Sequence, residues 1–153
     1  MKIKNLRHMG HLDIPGGGQV TVKDGYAYIG HMAPPLGTSV VDVSNPKAPK
    51  LVAQLDVPPT THSHKARVVG DVLFVNFERY KETPGPFRPG VRILDVREPK
   101  NPREIGFLDT AGIGVHRFDV DRQYLYLSTE IDGYVGNITV VYDLAQPARP
   151  REV

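Results

Sequence analysis

One pattern recurs three times along this chain, and it leaves few folds open. An apolar run ending in aspartate leads into a proline-bracketed turn: Val40-Val41-Asp42-Val43-Ser44-Asn45-Pro46, Ile93-Leu94-Asp95-Val96-Arg97-Glu98-Pro99 and Val141-Tyr142-Asp143-Leu144-Ala145-Gln146-Pro147. A second proline follows each time, at Pro49, Pro102 and Pro150. Asp42 and Asp95 stand 53 residues apart, and Asp95 and Asp143 stand 48 apart. Upstream of each lies an aromatic stretch: Tyr26-Ala27-Tyr28-Ile29, Val72-Leu73-Phe74-Val75 or Tyr124-Leu125-Tyr126-Leu127. Before each stretch come turn residues (Asp24-Gly25, Gly70-Asp71, Asp121-Arg122) and another alternating run, Val20-Thr21-Val22, Ala66-Arg67-Val68 or Phe118-Asp119-Val120. A fourth run, 51–56 and 104–109, follows the double-proline turn.

Alternation at period two in β-branched and aromatic residues marks strands. Four such strands in a period of about 50 residues mark a propeller blade. The expected class is all-β: three four-stranded antiparallel repeats of a β-propeller, near 14–56, 57–109 and 110–153 of a single 1–153 segment. Second strands are expected at 26–30, 72–77 and 124–129, and no helix. The aspartates precede turns in which a carboxylate accepts backbone N–H bonds, a structural role. The Val40–Pro46 motif with its preceding Gly25-Tyr26-Ala27-Tyr28-Ile29 resembles the LVIVD repeat family of β-propellers. The resemblance extends over nearly the whole chain through its three copies and implies the fold. It implies no particular activity, because propellers host many.

Three blades fall short of the roughly four to eight that close a ring. Met9-Gly10-His11-Leu12-Asp13 matches Ile105-Gly106-Phe107-Leu108-Asp109, so residues 5–13 read as an outer closing strand without a blade of its own. Two sources of the remaining blades suit this pattern: a longer chain, or a second copy.

Charge excludes some partners. Lys plus Arg number 19 against 17 acidic residues, with no basic stripe, which argues against nucleic acid and anionic membrane. Cysteine is absent, so there is no disulfide, thiolate ligand or cysteine nucleophile. No leader or membrane-length apolar run is visible, and a soluble cytoplasmic protein is expected.

The histidines carry the chemical signal. His64 and His116 each lie 10 residues before the anchors Phe74 and Tyr126, where the chain enters the inner strand; Gly18 stands there in the first repeat. The same alignment pairs Glu78 with Glu130 at the end of the second strand. Both positions fall at one mouth of the channel, where imidazole and carboxylate suit Fe, Mn, Cu or Zn. His64 and His116 are therefore candidate metal ligands, and Glu78 and Glu130 candidate general bases or further ligands. His62, His31, Arg88 and Arg92 are candidate substrate contacts, the arginines for an anionic group. Arg88 belongs to the proline-rich insertion 83–90 and Arg92 lies just beyond it. Gly16-Gly17-Gly18 lacks the lysine and helix of a phosphate loop and reads as a flexible loop or a close backbone approach to the channel. The function expected is a metal-dependent propeller enzyme, or part of one, acting on a small molecule at the channel mouth. The alternatives are a metal-free scaffold for a protein or peptide, and a metal-free histidine enzyme.

Overall fold

The computed structural model describes residues 4–153. The first blade is β1 (Gly17–Lys23), β2 (Tyr26–His31), β3 (Leu36–Asp42) and β4 (Lys50–Asp56), hydrogen-bonded in that order. The second holds β5 (Thr61–His62) and β6 (Ala66–Val69), both paired with β7 (Val72–Arg79), then β8 (Gly90–Asp95) and β9 (Arg103–Asp109). The third is β10 (Arg117–Val120), β11 (Tyr124–Glu130), β12 (Asn137–Asp143) and β13 (Arg151–Glu152). All pairs are antiparallel, and no helix occurs among the described residues. The second strands begin at the three residues expected from the repeat. None of the described elements is a helix long and apolar enough to cross a membrane.

Short-range chemistry sets the turns. Asp24 and Gly25 both take positive φ, as a two-residue turn between right-twisted strands requires. Asp42, Asp95 and Asp143 each accept the backbone N–H two residues on, at 3.0, 2.9 and 2.6 Å. Each carboxylate therefore closes the turn from the third strand to the fourth.

The inner strands β1, β6 and β10 are neighbours, so the blades radiate from a common inner edge. Two apolar clusters fill the blade interfaces. Tyr28 and Val40 of the first blade pack with Ala66, Leu73, Val75 and Leu94 of the second. Phe74, Val91 and Ile93 of the second pack with Phe118, Leu125, Leu127, Val140 and Tyr142 of the third. The middle sheet thus buries alternate residues on opposite faces, as a pleated strand must.

Two features depart from the pattern. The middle blade has a divided inner strand, β5 and β6, because the chain is diverted at 63–65. Residues 9–13, expected as an outer strand, form no ladder. They run beside the first blade's outer turn, where Gly10 lies against Pro46 and Lys47.

Candidate functional site

The diversion at 63–65 builds the site. Before it, His62 pairs across from Glu78, which puts both side chains on one face of the sheet. Within it, the backbone turns to the first blade: His31 N–H donates to Ser63 O (3.1 Å) and Gln19 N–H to His64 O (2.8 Å). Gly18 and Gly30 both press on the His64 backbone, where a Cβ at either would collide. That contact accounts for glycine at 18, the position held by histidine in the other repeats.

The far end of β7 is tied to the third blade. Arg79 N–H donates to Ile113 O (2.8 Å) and Val115 N–H to Phe77 O (3.1 Å). Gly114 sits against Phe77 O with a φ of 92°, a close approach no side chain permits. Asn76, fully buried, spans both ties: Oδ1 accepts from Lys65 N–H and Nδ2 donates to Val115 O, each at 2.8 Å.

These clamps bring three imidazoles around one carboxylate. His116 Nδ1 lies 2.9 Å from both Glu78 oxygens and donates to them. His62 Nδ1 is 3.6 Å and His64 Nδ1 3.9 Å from Glu78 Oε2. The His62 and His64 rings stack with centroids 4.0 Å apart, and His64 and His116 are 5.2 Å apart. Lys65 Nζ donates to His64 Nε2. His62 Nε2 is buried and has no hydrogen-bond partner among the described residues.

Burial, with His62, Lys65 and His116 adding repulsion, pushes the His64 pKa down from 6.5 to about 3. Burial lowers His62 as well, against the pull of Glu78. It also lowers Lys65, again opposed by Glu78. Both stacked imidazoles are neutral near neutral pH, and His64 holds its Nε2 lone pair toward Lys65, so a cation bound at His64 takes the place of that hydrogen bond.

This has a consequence for the metal-free protein. Below 6.5 the unfolded chain protonates His64 while the fold does not, so stability falls as pH falls toward about 3. The loss approaches about 1.4 kcal/mol per pH unit, with His62 adding in the same direction. Urea midpoints should therefore drop on acidification through this window, and less steeply in His64→Phe. Equal slopes for the two proteins would refute it.

The other candidates lie apart from the cluster. Glu130 accepts from Ile113 N–H (3.3 Å) and holds the loop before β10. His31 is buried between Pro15 O (2.9 Å) and Ser39 Oγ (2.7 Å), both ring nitrogens engaged. Arg88 pairs with Asp109 through two bonds of 2.6 and 2.8 Å, and lies over the Phe107 ring. Arg92 pairs with Glu104 at 2.7 Å. The anion expected at these arginines is in each case supplied by the chain itself. Sequence reasoning passed over Lys65 and Asn76. Asn76 was open to it, two residues from Glu78 and so on the same strand face.

Antiparallel four-stranded sheets sharing an inner edge define the class: the chain is built of β-propeller blades. Its first blade, over residues 17–57, matches the model of the LVIVD repeat. The chain is also similar to the N-terminal domain of Nup159, known from a crystal structure, with a TM-score of 0.54 at 12% identity. That likeness covers 92% of this chain and 30% of the Nup159 chain, and at such identity it concerns the fold alone. No curated protein matches the chain.

Proposed function

We propose that His62, His64 and Glu78 hold a divalent transition metal, and that the chain is a metal-dependent propeller enzyme, or part of one, acting on a small molecule at the channel mouth. One observation carries this reading: the three ligand atoms all lie within 4.8 Å of one another. Ligands about 2.1 Å from a tetrahedral ion are about 3.4 Å apart, near the 3.6 and 3.9 Å separating the two Nδ1 atoms from Glu78 Oε2. The donor set, neutral nitrogen and carboxylate oxygen, suits Fe, Mn, Cu or Zn. The partnerless His62 Nε2 fits a site whose polar groups are not yet fully used.

His116 is the positioning residue in this reading. Its Nδ1–H bond to Glu78 turns the carboxylate toward the stacked imidazoles. The metal, when bound, would supply Lewis acidity or an acidified water. Lys65 stands beside His64, an amine close enough to meet an anionic substrate group.

The test is metal content, by elemental analysis of protein purified without chelator or histidine tag. About one equivalent of transition metal per chain is expected. Protein that is empty as isolated, and takes up none of Zn2+, Mn2+, Fe2+ or Cu2+ on titration, would overturn the reading and favour the scaffold.

A further inference from the structure

A groove of about 340 Å³ runs between the second and third blades, and both of its walls belong to this chain. Val69 and Val72 line the second blade's side and Leu144 the third's, with Phe74 at the base and Asp71 and Arg122 at the rim. Val72 and Glu78 stand at opposite ends of β7. At about 3.3 Å per strand residue the groove is therefore about 20 Å from the histidine cluster.

The repeat explains the room. Tyr26 pairs with Asp42, Val72 with Asp95 and Tyr124 with Asp143, so these three residues hold one position in successive blades. Tyr26 packs between the first and second blades, against the cluster that contains Val96. Val72 packs between the second and third, against the cluster that contains Leu144. Val96 and Leu144 each follow their repeat's aspartate, so the two interfaces are built from the same positions. Where the first holds a phenol ring, the second holds an isopropyl group.

The cross-strand neighbour is cut back as well. Lys23 lies opposite Tyr26 and reaches over to the second blade, its Nζ donating to Asp71 Oδ1 at 3.5 Å. Val69 lies opposite Val72 and is too short to span to the third blade. Both side chains that fill and bridge the first interface are thus replaced by valine at the second. Interiors otherwise pack to near-crystal density. The space left lies within the roughly 300–1,000 Å³ usual for small-molecule sites.

We infer that this groove binds a small phenol, whose ring takes the place that Tyr26 fills one blade earlier. The ring lies between Val72 and Leu144 over Phe74. Its hydroxyl comes to the rim, where Asp71 can accept a hydrogen bond and Arg122 can donate one. Apolar walls with a few polar groups at the mouth are the usual make-up of such a site. Nothing in this site draws on the metal cluster, and either can stand without the other.

Titration of para-cresol, the tyrosine side chain as a free molecule, into the methyl-labelled full chain tests this by NMR. Saturable shifts of the Val69, Val72 and Leu144 methyls are expected, with intermolecular NOEs from the ring to them. The methyls of Val40 and Leu94, in the other interface, should stay put. Val72→Tyr puts the ring back on the chain, and should abolish these contacts without lowering the thermal midpoint. The absence of a saturable shift in the wild-type chain would overturn the inference whether or not the variant folds. So would shifts spread evenly over both interfaces, or NOEs that persist in folded Val72→Tyr.

Discussion

Alanine in place of His64 is expected to abolish metal binding, and so is alanine in place of His62 or glutamine in place of Glu78. Each change removes one of the three donor atoms that lie within 4.8 Å of one another, and two remaining donors hold such an ion poorly. His116→Ala removes the hydrogen-bond partner of Glu78 and no proposed ligand; a loss of about 10–100-fold in affinity is expected. His31→Ala should leave the affinity unchanged, since both of its nitrogens are engaged away from the cluster. Calorimetric titration with Zn2+ or Mn2+ reads all five proteins, and circular dichroism confirms their folding. If folded His31→Ala weakens binding as much as His64→Ala, the loss does not report the three-donor cluster and the cluster is not the metal centre.

The second large effect is on stability. Phe74→Ala should cost about 3–5 kcal/mol, through lost burial and the cavity left among neighbours that cannot fully collapse. Its ring is 1% exposed and packs with residues of both the second and the third blade. Tyr126→Ala, at the equivalent position, removes a side chain that is 36% exposed. In dilute protein its cost should be under half that of Phe74→Ala. Chemical denaturation measures both. Equal losses in the dilute chains would contradict the arrangement of the blades.

The blades were legible in the sequence because what makes them is local. A period of two, a two-residue turn at Asp24-Gly25 and an aspartate accepting the N–H two residues on at Asp42, Asp95 and Asp143 all act within a few residues. The shared ten-residue offset of His64 and His116 was legible for the same reason: a repeat copies position along with fold. Charge without geometry left the ion-pair partners out. Arg88 and Arg92 read as free cations, yet their partners Asp109 and Glu104 lie 21 and 12 residues away and reach them only across strands.

By itself, then, the sequence determined the strands, their order within a blade and the end of the blade on which the histidines fall. Tertiary structure alone decided which groups meet. Glu78 and Glu130 are equivalent in the repeat, but Glu78 is followed by a blade that delivers His116 to it, while Glu130 closes its own loop. His62 and His64 stack because Gly18, Gly30 and Asn76 divert one stretch of backbone between two neighbouring sheets. Strand and turn preferences are energies of a few adjacent residues, whereas this cluster is made at the junction of separate blades, where position depends on how whole sheets pack.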